Sequence, residues 1–259
     1  LHTLDEKLYI SPAVAVAEAT KAVAAMGRIA LVNIGRGCDQ LLSYDESLNA
    51  IIDEDEECLD QFADRADHFL IGLSKVVEDE VGDRQVDMLM QSVPNFERIG
   101  DYATNFVELA QRLEAENTAF SDMAKQELTI LASAVKEIIQ ITVDAFTNDD
   151  NQAAKAIEPL EETIDDMVMI LRDRHTKRLK NGTCSVSSGL VFMETLTYME
   201  RASDQCSSIA VMMMARSNEA ILHNHYDYLK EVHAGNDAAY NEERARRREQ
   251  YLTPLKAIH

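Results

Sequence analysis

NFERIGDYATNFVELA, residues 95–110, sets Glu97, Asp101 and Asn105 at a spacing of four within a run that no glycine turn interrupts. Around them Phe96, Ile99, Ala103, Phe106, Val107 and Ala110 recur at threes and fours, the period of a helix with one apolar stripe. At about 100° per residue, the three polar side chains fall roughly 130–170° from the centre of that stripe. TYMERASDQCSSIAVM, residues 197–212, repeats the arrangement 103 positions later, aligning Glu200-Arg201 and Asp204 with Glu97-Arg98 and Asp101. Its stripe is Phe192, Leu196, Met199, Cys206, Ala210 and Met213. Any amphipathic helix repeats apolar positions; repeated acids at fixed places mark a duplication.

Working outward, each of these helices closes a set of three. Ser11-Pro12 starts a first helix that runs to about Ser43, the proline sitting where its missing N–H costs nothing. Leu59, Phe62, Ala63, Ala66, Phe69, Leu70 and Leu73 give the stripe of a second. The third is expected from Gln85, after VGDR at 81–84, to about Ala115, with Pro94 inside it. The plan then restarts: Ser121 caps a helix to about Phe146, Asn148–Asn151 breaks it, a helix covers 161–179, Asn181-Gly182 turns, and a long helix fills 187–222. The fold class is therefore all-α: two tandem three-helix bundles, residues 1–118 and 119–225, with a helical tail over 226–259 that carries RARRR at 244–248.

Composition bounds the chemistry. The 259 residues suffice for a real core, and 46% hydrophobic against 27% charged side chains is a globular balance. A formal charge of −21 repels phosphate backbones, which excludes nucleic acid as a partner, and attracts cations. Cys38, Cys58, Cys184 and Cys206 form no CxxC pair and are expected as reduced thiols. The longest apolar run, IAVMMMA at 209–215, is far short of the roughly 20 residues of a membrane span. Met212, Met213 and Met214 are expected in the core. The chain begins at Leu1, and the expectation is a piece cut from a longer protein.

A second pair of acids belongs to each unit. Glu56 and Asp60 align with Glu161 and Asp165 at an offset of 105, so each half carries two E-x-x-x-D pairs, one on its second helix and one on its third. Like charges one turn apart repel, so the helix gains nothing from them alone. They flank or oppose the apolar stripes, which places them in a groove between neighbouring helices rather than in the core. Four converging carboxylates need a cation or protons, and oxygen-only ligation suits hard divalent ions, iron or manganese. A solvated acidic face is the competing explanation, and Arg98 and Arg201 are expected to pair with nearby acids. A carboxylate-bridged di-metal enzyme needs Glu-x-x-His on its helices, and none of His68, His175, His223, His225 and His233 has Glu three residues before it.

Glu97-Arg98-Ile99-Gly100-Asp101 with Asn105 resembles the signature of the phosphate-uptake regulator family PhoU, and ERASD at 200–204 resembles its second copy. LDEKLYISPAVAVAEA at 4–19, and a tail with Tyr228-Leu229, Gly235 and Tyr240, resemble the segments flanking the cytoplasmic PhoU-like domain of sodium/phosphate cotransporter-family proteins. The resemblance implies a non-catalytic regulator on the cytoplasmic side of the cell membrane, partnered by the membrane-embedded transporter part of the same protein, with a homodimer compatible with it. It implies metal clusters of iron, zinc, nickel or calcium on Glu97, Asp101, Glu200 and Asp204, completed by Glu56, Asp60, Glu161 and Asp165. Ser208 departs from the pattern where the second motif would have Asn, and Tyr102 and Gln205 replace a histidine. The alternative function is a metal-free helical scaffold for protein–protein interaction.

Overall fold

The computed structural model describes residues 4–258, and these are helical almost throughout. The first triplet is α1 (Pro12–Leu42), α2 (Asn49–Leu73) and α3 (Glu80–Ala115). The second is α4 (Asp122–Asn148), a single turn α5 (Asn151–Ala154), α6 (Ile157–Lys180) and α7 (Val186–Ala215). A tail follows as α8 (Glu219–His223), α9 (His225–His233) and α10 (Ala238–Lys256). No strand occurs among the described residues. Ser121 caps α4 as its sequence demands, its hydroxyl accepting from the Ala124 N–H at 3.2 Å.

Helix limits depart from the sequence reading at three places, two with a local cause and the third with a tertiary one. α3 starts at Glu80 rather than Gln85, because the Asp79 carboxylate accepts from the Gly82 N–H at 2.7 Å and draws VGDR into the first turn. α6 starts at Ile157, one turn early, since Pro159 falls in the first turn, where no N–H partner is needed. α7 ends at Ala215 and does not run to 222. Arg216 there turns to ion-pair with Asp149 and to donate to Gln85, tying the helix end to both triplets.

Both third-helix stripes are buried as expected, and so are Met212, Met213 and Met214. One continuous core runs through both triplets. α1 packs on α3 within the first, α7 on α6 and α4 within the second, and α3 meets α7 across the middle. Phe96 meets Phe146 edge to face at 5.4 Å there, and Tyr102 lies 5.7 Å from Tyr198. Gly37 lets the backbones of α1 and α3 approach closely, for a Cβ on it would lie 2.8 Å from the Ala103 Cα.

The tail is seated, not free. Tyr251, Leu252 and Leu255 are buried, and α10 packs on α6 and α4. The basic run is spent internally: Arg247, 4% exposed, pairs with Glu137 and Glu243, and Arg248 pairs with Asp166. Glu127, with no exposed surface, holds Arg174 at 3.1 Å and Arg178 at 2.8 Å and so joins α4 to α6.

Candidate metal centre

Gly100 decides how the acids of the first triplet meet. A Cβ there would fall 2.1 Å from the Leu59 Cδ1, so α2 and α3 pack with Leu59 against bare backbone. Leu59 precedes Asp60 and Gly100 precedes Asp101, and the two carboxylates are brought to one crease. Carboxylate oxygens of Glu56, Asp60 and Asp101 all lie within 4.8 Å of one another. Burial, then the charges of Glu97, Asp60 and Glu56, push the Asp101 carboxyl up to about 6. Glu56 is raised by burial and by Asp60. Glu97 lies outside the trio; burial and then Asp60, Asp67 and Asp64 raise it.

The second triplet builds the same trio from Glu161, Asp165 and Asp204, again within 4.8 Å. Here the groove is deeper: Glu161 is only 8% exposed, which departs from the expectation that the acids stay out of the interior. Burial and the neighbouring Glu158, Asp165 and Asp204 raise Glu161 strongly, and its carboxyl hydrogen-bonds the Asp204 carboxylate. Burial and then Asp204 and Glu200 push Asp165 up to about 7. Glu200 stands off from the trio, as Glu97 does, and is held by Arg172 at 2.6 Å.

Six of the eight acids singled out by sequence are thus gathered three and three, and the two third-helix glutamates flank the trios. Buried Asp101 Oδ1 and Asp165 Oδ1 have no hydrogen-bond partner among the described residues. A buried carboxylate oxygen without a donor is costly, and a cation would satisfy it. That orphaned pair, in an all-oxygen donor set, fits a hard or borderline divalent ion. Arg98 and Arg201 are exposed and form no ion pair among the described residues, contrary to expectation. Tyr102 is buried against Tyr198, so the position after the first motif's Asp serves the junction of the halves. Ser208 is exposed.

One grouping escaped the sequence reading. Glu158 and Glu162 of α6 and His233 of α9 bring one ligand atom each within 4.8 Å of one another. The glutamates share the spacing of four, but their histidine arrives from the tail, and no local pattern announces it.

The PhoU domain family matches residues 23–110 and 128–213, one copy on each triplet. A phosphate-specific transport system accessory protein, PhoU homolog 1 of Thermotoga maritima, is 24% identical over 156 residues, 60% of this chain and 65% of that protein. The Clostridium acetobutylicum PhoU homolog is 20% identical over 186 residues, 71% of this chain and 84% of its own length. Two solved structures share the fold: the phosphate transport system regulatory protein PhoU of Streptococcus pneumoniae, and PhoU of Pseudomonas aeruginosa. The first has a TM-score of 0.72 at 17% identity, over 81% of this chain and 98% of its own. The second has a TM-score of 0.71 at 22% identity, over 77% and 95%.

Proposed function

The chain belongs to the PhoU domain family, and on that premise we propose that it is a non-catalytic regulator of phosphate transport that binds metal through its two carboxylate trios. The observation that carries the proposal is the convergence of Glu56, Asp60 and Asp101, and of Glu161, Asp165 and Asp204, each within 4.8 Å. The names of the relatives, accessory and regulatory proteins of phosphate transport systems, support the biological role. Glu97 and Glu200 would complete each set from the flank, Glu200 after release from Arg172. A bound cation would lock α2 to α3 and α6 to α7, and so set the shape of the face offered to a transporter.

The finer assignment is the cytoplasmic domain of a sodium-dependent phosphate transporter. Its support is residues 4–19 and the seated tail, both outside the family match at 23–213 and both resembling those transporters. No described helix is long and apolar enough to cross a membrane, so the partner would be a membrane-embedded part supplied elsewhere.

Elemental analysis of the purified chain after loading with iron, zinc, nickel or calcium tests the metal. Asp101→Asn with Asp204→Asn is expected to strip it from both halves. Absence of carboxylate-bound metal in the unaltered chain under every loading would leave the scaffold function instead. Phosphate uptake by cells bearing the same pair is expected to lose its response to phosphate supply; an unchanged response would sink the regulatory role of the trios.

A further inference from the structure

We infer that Glu158, Glu162 and His233 form a separate cation site of zinc-like chemistry, which staples the tail to the second triplet. The ligand atoms are Glu158 Oε1, Glu162 Oε1 and His233 Nε2. Nε2 lies 2.7 Å from Glu158 Oε1 and 3.4 Å from Glu162 Oε1. Ligands around a tetrahedral zinc ion stand about 3.3 Å apart for bonds of roughly 2.0–2.1 Å; the Glu162 separation matches this, and Glu158, which is at hydrogen-bonding distance from His233, would open by about half an ångström to admit the ion. One imidazole with two carboxylates is a borderline donor set, unlike the all-oxygen trios.

The remaining oxygen of each glutamate is already engaged. The Ser207 hydroxyl donates to Glu158 Oε2, and Arg244 pairs with Glu162 Oε2 at 3.1 Å. Both carboxylates are therefore aimed with Oε1 toward the histidine, as the outer partners of a metal site orient its ligands. An independent feature points to a guest. Tyr240, 6% exposed, packs its ring at a 36° tilt to that of His233, centroids 6.2 Å apart, and its hydroxyl oxygen is buried with no hydrogen-bond partner among the described residues. Tyr240 and Glu158, though not Glu162 or His233, line one cavity of about 520 Å³, which leaves room beside the site for a water that would give that hydroxyl its partner. The His233 side chain keeps 35% exposure, which leaves the ion a way in.

The duplication supplies an internal control. Asp53 and Glu57 occupy the matching positions of the first triplet at the offset of 105, and both are exposed, whereas α10 packs on α6. Only the second triplet acquires the histidine.

Zn²⁺ is the probe, and the full chain carrying Asp101→Asn and Asp204→Asn is the background, so that failure here is separable from failure of the trios. Titration against a chromophoric chelator is expected to show one zinc equivalent that His233→Asn removes. Glu158→Gln is expected to weaken it by about tenfold or more. X-ray absorption at the zinc edge should show imidazole scattering that vanishes with His233→Asn, and proteolysis between 216 and 237 should quicken when zinc is withdrawn. Zinc bound without imidazole scattering, or the same stoichiometry in His233→Asn, overturns the site and leaves His233 simply paired with two glutamates. Circular dichroism identifies a variant that fails to fold, and the absorption spectrum of the background chain decides the matter without any His233 variant.

Discussion

Asp101 and Asp165 hold their protons to about 6 and about 7 because burial and like charges oppose ionisation. A free aspartate titrates near ~3.9, so in the metal-free protein the folded state binds more protons than the unfolded chain between those values. By linkage, these groups stabilise the fold fully below about pH 4, and that contribution is lost as pH rises through the folded values. Asp101→Asn removes one such group. In chelator its melting temperature is therefore expected to exceed that of the unaltered chain at pH 8 and to converge with it near pH 4.5. With metal present at pH 8 the order should reverse, since the same substitution deletes a ligand. A difference in melting temperature that ignores pH would mean that Asp101 ionises in bulk solvent.

Element packing depends on a few positions that composition hides. Gly37 touches the backbone of α3, and Ala103 cannot rotate away as a side chain could. Gly37→Ala is expected to cost on the order of 1–3 kcal/mol by overpacking. Gly100→Ala clashes with the Leu59 Cδ1, the far end of a side chain rather than backbone. It should cost less in stability while displacing Asp60 from Asp101 and weakening the first trio, and urea unfolding beside metal titration separates the two effects. Glu127→Ala breaks a buried link between α4 and α6; about 3 kcal/mol is expected, the low end of such losses, because Arg174 and Arg178 keep some solvent.

The sequence foretold six long helices because their stripes repeat at threes and fours, and it foretold the acid pairs because polar positions recur at 103 and 105. It could not rank the four acids of each half. That ranking follows from how deeply Gly100 lets Leu59 settle, and from Arg172 claiming Glu200, both tertiary facts. The end of α7 was hidden for a similar reason: Arg216 finds its partners Asp149 and Gln85 only once both triplets are built. The same limit hid His233.

At the scale of the whole molecule the duplication does not yield two independent bodies. Phe96 of α3 packs on Phe146 of α4, and Tyr198 of α7 meets both Tyr102 and Phe106 of α3. Burying such rings between the triplets removes apolar area that either half alone would expose to water. Arg216 and the ion pair of Lys136 with Asp39 at 3.0 Å add polar links across the same boundary. Calorimetry of the metal-free chain is therefore expected to give a single transition whose van't Hoff and calorimetric enthalpies agree. Tyr198→Ala, a large-to-small change at a half-buried position of the shared face, should destabilise the whole chain by about 1–3 kcal/mol without splitting the transition. Two resolved transitions, one insensitive to Tyr198→Ala, would show the triplets melting separately. Any effect of metal in one half on the other would then have to travel through a transporter rather than through this core.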